Sequence, residues 1–172
     1  MTKLILIRGP PGSGKSTISL KLAEKMKSNV VVINADALII GVKFVNFPKS
    51  IFNKIRFIMP SITNYLSKRI SVICEGVYGG PKANDKIKLF RDAARKSNSE
   101  FHLVNLHISL KESYLRCKTR KGHIISKPMK KHEVKRWYDW FYECTIKNGA
   151  HIYTSKKSVK DIVNEILKLI EK

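Results

Sequence analysis

Cysteine is scarce in this chain of 172 residues. Cys74, Cys117 and Cys144 are odd in number and far apart, so they form neither the framework of a disulfide-stapled fold nor the paired spacing of a zinc site, and they read as buried thiols. Long apolar runs are missing as well. No stretch approaches membrane-spanning length, and Met1-Thr2-Lys3 leads directly into a short apolar strand without a signal-peptide pattern, so a cytoplasmic protein without membrane contact is expected. There is no internal repeat, linker or low-complexity tail. With 43% hydrophobic residues the chain suits one domain, 1–172, able to bury a substantial core.

Acidic residues are the most conspicuous shortage. Asp and Glu number 13 against 34 Lys and Arg, a net charge of +21. Such an excess points to a polyanionic partner. The alternative is a Lys- and Ile-rich proteome in which lysine simply solvates surfaces, but such proteomes usually raise Glu with Lys, which is not the pattern here.

What the chain has in full is a phosphate-binding loop. The apolar run Ile5-Leu6-Ile7 leads into Gly9-Pro10-Pro11-Gly12-Ser13-Gly14-Lys15-Ser16-Thr17, which fits G-x-x-x-x-G-K-[ST] between a strand and a helix. Gly12 and Gly14 allow close backbone approach to phosphate oxygens. Lys15 is expected to reach the β- and γ-phosphates and Ser16 to ligate magnesium, with the positive helix N-terminus adding to the site.

Further along, the helix carrying Ile18, Leu22 and Met26 is expected to end near Ser28-Asn29. The run Val30–Ile33 reads as a strand buried on both faces of a parallel sheet, delivering Asn34-Ala35-Asp36 at its C-terminal end, the edge where open α/β sheets bind ligands. Residues 38–48, with Phe44 and Phe47, are irregular or a short helix; those rings either stack on an acceptor or seal the core. Helical spacing follows through 50–68, with Pro60 expected to kink or divide the helix. A third strand, Ile70–Cys74, ends in Glu75-Gly76. Ile87, Phe90 and Ala94 mark a helix, Phe101–Ile108 a fourth strand, and a helix from Ser109 turns Tyr114 and Cys117 inward. From Arg116 to Arg136 inclusive there are nine Lys or Arg residues and one acid, Glu133. Val134, Trp137, Tyr138 and Phe141 mark another helix, with Trp140 expected to face outward. The aromatics there are either core or a stacking platform for bases. A fifth strand at 150–153 and an amphipathic helix with Val159, Ile162, Val163, Ile166 and Ile170 close the chain. Alternating strands and helices mean α/β with a parallel sheet.

Neither the Asp-x-x-Gly nor the Asn-Lys-x-Asp motif of switch GTPases is present. The loop, the acid after the second strand, Glu75-Gly76, Arg116-x-x-x-Arg120, and Ser126-Lys127-Pro128 before a helix together resemble the small P-loop kinases that include polynucleotide 5′-kinases. Seryl-tRNA kinases, zeta-toxin-like kinases and adenylate kinases are more distantly similar. The resemblance implies a P-loop NTPase three-layer α/β/α sandwich, a five-stranded parallel sheet ordered 2-3-1-4-5, and a basic lid at about 118–131. It also implies an ATP- and Mg2+-dependent kinase with RNA or DNA as acceptor. Asp36 would then be the catalytic base or acceptor anchor, its alternative being a helix N-cap. Glu75 would order a magnesium-bound water or bind the acceptor; otherwise it is a strand-end acid paired with lysine. Glu-Gly departs from the Asp usual in polynucleotide kinases and fits nucleoside and zeta-toxin-like kinases. Arg116 and Arg120 share a helical face and would clamp phosphates, or else belong to a solvated basic surface. His123 and His132 receive no role. A small-molecule, nucleoside or nucleotide acceptor, and an RNA-associated ATPase, stay open beside the polynucleotide reading. So do ATP against GTP and the oligomeric state.

Overall fold

The computed structural model describes residues 1–35, 37, 54–119 and 128–171. Asp36, Phe44, Phe47, Arg120, Gly122, His123, Ser126 and Lys127 lie outside the described residues, as does most of the expected lid.

Five parallel strands form the sheet: β1 (Lys3–Arg8), β2 (Val30–Asn34), β3 (Ser71–Gly76), β4 (Glu100–His107) and β5 (Ala150–Tyr153). Their spatial order is β2-β3-β1-β4-β5, as the family resemblance implies. The helices are α1 (Lys15–Lys25), α2 (Lys54–Ser67), α3 (Ala83–Lys96), α4 (Leu110–Lys118), α5 (Lys131–Tyr142) and α6 (Val159–Ile170). Ser109 caps α4 by accepting from Glu112 N at 3.2 Å, and Ser158 caps α6 by accepting from Asp161 N at 3.2 Å. At α5, the Glu133 carboxylate accepts from Lys130 N at 2.8 Å.

Alternation along central β1 divides the core. Ile5 and Ile7 join Ile73, Val104 and Leu106 beneath α1 and α6, where Ile18, Leu22, Ile162 and Ile166 are buried. Leu4 and Leu6 point the other way, with Val72 and Cys74, onto α2 and α3, where Ile58, Ile62 and Phe90 are buried. Each such fully buried aliphatic side chain contributes roughly 1.5–3 kcal/mol. Three layers result, and the C-terminal ends of all five strands share one edge.

Several expectations change in detail. β2 is an edge strand, so Val30, Val31 and Val32 stay half-buried although they pack alternately into both cores; only Ile33 is fully buried there. α1 ends at Lys25, where Met26 turns extended. Pro60 sits inside α2 without dividing it. On α4 the inward pair is Ser113 and Cys117, four apart, and Tyr114 is only half-buried. Cys144 is likewise half-buried. Trp137, not Trp140, is the exposed indole of α5. Trp140 is turned in by its neighbours: its carbonyl accepts from Gly80 N at 2.7 Å, and Lys86 Nζ lies 4.5 Å over its ring.

Candidate active site

The loop from Gly9 to Thr17 joins β1 to α1 at the C-terminal edge of the sheet. Gly12 and Gly14 have φ of 76° and 88°, a left-handed backbone that other residues resist. A Cβ on Gly12 would stand 2.8 Å from the Ser113 carbonyl oxygen, and one on Gly9 would stand 2.5 Å from Ser13 Oγ. Tight packing, as well as turn chemistry, therefore requires these glycines. Lys15 is buried, and its ammonium donates to the Gly9 and Pro10 carbonyls at 3.0 Å each, which holds it over the loop. Ser16 is half-buried and Thr17 exposed at the start of α1. The first turn of that helix contains no acid, and its leading N–H groups have no intrahelical acceptors, so the electropositive end is open to an anion.

Two side chains of α4 fix the loop from behind. Ser113 Oγ donates to Pro11 O at 2.6 Å, and Arg116 Nη1 donates to Gly12 O at 3.5 Å. Arg116 Nη2 reaches Thr154 O at 3.2 Å and pairs with Glu112. Arg116 is thus tied to the loop backbone rather than spread on a solvated face. The role of Ser113 was readable only indirectly, from its sharing a helical stripe with Arg116 and Cys117.

Glu75, the next-to-last residue of β3, lies between Ile7 of β1 and Asn34 of β2. Alternation puts it on the same face as Ile73, the side that carries α1. It is 2% exposed and accepts from Asn34 Nδ2 at 2.6 Å, while Asn34 Oδ1 accepts from Ala37 N at 2.8 Å. No salt bridge to Glu75 occurs among the described residues, so the lysine-paired alternative has no support. A buried carboxylate held by one neutral amide keeps acceptor capacity for a hydrated cation. With the Ser16 hydroxyl it supplies the hard oxygen donors that magnesium prefers, so these residues fit that ion.

A parallel 2-3-1-4-5 sheet with a complete phosphate loop after its central strand defines the P-loop NTPase fold. A family model described as AAA domain matches residues 4–144, and the chain belongs to that family. Among solved structures, the chain is similar to the APS kinase CysC of Mycobacterium tuberculosis in complex with AMPPNP and APS. The two are 17% identical over 99% of this chain and 98% of that one, with a TM-score of 0.69. A sugar kinase from Janibacter sp. HTCC2649 is 15% identical over 99% and 95%, with a TM-score of 0.69. A chain of the Pnkp1/Rnl/Hen1 RNA repair complex is 20% identical over 83% of this chain and 45% of that one, with a TM-score of 0.63. These likenesses establish the fold. No curated protein matches the sequence. Among the described residues, no helix is long and apolar enough to cross a membrane.

Proposed function

We propose that the chain is an ATP-dependent phosphotransferase that moves the γ-phosphate to a hydroxyl group, with a nucleic acid as the acceptor. The transfer reading is carried by one juxtaposition: a complete phosphate loop and the buried Glu75–Asn34 pair at the same edge of the sheet. Lys15, Ser16 and the loop amides hold the donor phosphates, and Ser16 and Glu75 are the residues that would hold magnesium. That ion would neutralise charge on the β- and γ-oxygens. Asp36 takes the proton of the attacking hydroxyl as its oxygen bonds to the γ-phosphorus, and the bond to the bridging oxygen breaks to release ADP. Arg116 holds the loop in shape, and Arg120 closes on the transferring group from a lid at about 118–131.

The acceptor rests on the +21 charge and the basic run from Arg116 to Arg136, supported by the likeness to a chain of an RNA repair complex. A small-molecule acceptor is the second reading, favoured by matches to APS and sugar kinases along nearly their whole length.

The test is incubation with γ-labelled ATP and magnesium against 5′-hydroxyl RNA and DNA oligomers, nucleosides, nucleotides, sugars and APS, beside Lys15→Ala and Asp36→Asn. Label on an oligomer, lost in both variants and suppressed by salt, is the expected result. Label only on a small molecule overturns the nucleic-acid acceptor. Free phosphate alone, stimulated by RNA, overturns transfer in favour of an ATPase.

A further inference from the structure

Arg8, the last residue of β1, is the largest fully buried side chain outside the apolar core, 2% exposed. It points to the Leu4 and Leu6 side of the sheet, away from α1, and lines a cavity of about 600 Å3 between α5 and the β4–β5 edge. Its Nη1 donates to Asn105 Oδ1 at 3.3 Å and its Nη2 to Phe141 O at 3.5 Å, both long, while Nε has no partner. The Phe141 ring covers the guanidinium at 4.4 Å. The described lining of the cavity includes no Asp or Glu. Burial pulls the Arg8 pKa down to about 10, as expected of a cation without a counter-charge.

The rim is aromatic. His107 stacks on His151 at 5.1 Å and on Tyr153 at 5.0 Å, and His107 Nε2 lies 2.9 Å from His151 Nδ1. Tyr153 is 68% exposed and presents its ring at the mouth. Asn105 is itself fixed, donating to Asn148 O at 3.1 Å and Ala150 O at 3.2 Å, so the floor is preorganised.

We propose that this cavity is a second binding site, for an anionic ring-bearing ligand of nucleoside-monophosphate size, with its phosphate on Arg8 at the floor and its base against Tyr153 and His107 at the rim. A guanidinium fork suits phosphate oxygens, the volume suits such a molecule, and exposed aromatic faces stack bases. The proposal is independent of the phosphotransfer reading, because it invokes neither the loop nor Glu75.

The experiment is calorimetric titration of the full chain, saturated with AMPPNP and magnesium, with the four 5′-nucleoside monophosphates, ribose 5-phosphate and the parent nucleosides. Ring signals of His107 and His151 are followed by NMR. At least one monophosphate is expected to bind and shift both histidines, with its nucleoside at least about tenfold weaker. Arg8→Gln should weaken it about 10- to 100-fold. Tyr153→Ala, at an exposed position that threatens no core, should weaken the nucleotide about 5- to 100-fold and leave ribose 5-phosphate unchanged. No binding at millimolar concentration, binding unchanged in Tyr153→Ala, or binding lost in proportion to AMPPNP occupancy would overturn the site.

Discussion

Replacing Arg8 by Met is expected to stabilise the protein, against the usual outcome for a buried residue. The depression of its pKa to about 10 corresponds to a cost of about 3 kcal/mol for keeping the charge inside. Against that stand two long hydrogen bonds and the Phe141 ring contact, together about 1–2 kcal/mol. Methionine restores part of the ring contact through sulfur and fills much of the same volume. The balance is a gain of about 1–2 kcal/mol, which for a domain of this size raises the melting temperature by about 2–8 °C. Calorimetry and urea unfolding at pH 7 measure it directly, with Arg8→Gln as the polar comparison. Destabilisation of Arg8→Met by 1 kcal/mol or more would refute the reasoning. It would mean that the bonds to Asn105 and Phe141 outweigh desolvation, and that the guanidinium is a structural strut rather than an uncompensated charge.

Glu75→Gln keeps an acceptor for Asn34 Nδ2 and should fold with a stability change under about 1 kcal/mol, yet lose about 100-fold or more in turnover with magnesium, read from steady-state kinetics across magnesium concentrations. Gly12→Ala forces a side chain into φ 76° and against the Ser113 carbonyl, disturbing the Ser113–Pro11 bond; about 2–4 kcal/mol of stability should go, with ATP affinity, by urea unfolding and nucleotide titration. The pKa of His107 is lowered by burial first, then by His151 and Arg8, so the folded protein takes up a proton there less readily than the unfolded chain, whose imidazole titrates near pH 6.5. Stability should therefore fall as pH drops from 7 toward 5.5, and His107→Gln should flatten that slope, measured as the difference in urea midpoints between wild type and variant at each pH.

Most of the fold was legible because its signals are local. Apolar strands separated by helical periods specify a parallel sheet whichever residues meet across it, and the phosphate loop carries its own turn chemistry in Gly12 and Gly14. The strand order came from the family resemblance, and it explains the one misjudged strand: β-branched residues from Val30 to Val32 suit a central strand, but with β2 at the edge only β3 covers them laterally. Helical phase was the next weak point. Tyr114 with Cys117, and Ser113 with Cys117, both satisfy a helical period; what decides is that a small hydroxyl fits beneath Pro11 where a phenol does not.

The burial of Arg8 follows from the pattern of its own strand. Period-two alternation from Leu4 and Leu6 puts Arg8 on a stripe whose other members are fully buried, so an arginine there requires either a carboxylate partner or an occupant. Its position one residue before the loop invites assignment to phosphate binding through Gly9, but the alternation that buries it also turns it to the face opposite α1. Asn105 in β4 follows the same logic, a polar residue on the stripe of Leu103 and His107, and its amide bridges from Arg8 to the start of β5. Two polar residues in register on adjacent buried strands, Arg8 opposite Asn105, mark a place where the fold forgoes hydrophobic burial. A small domain retains such a pair against its own stability when the pair has something to bind.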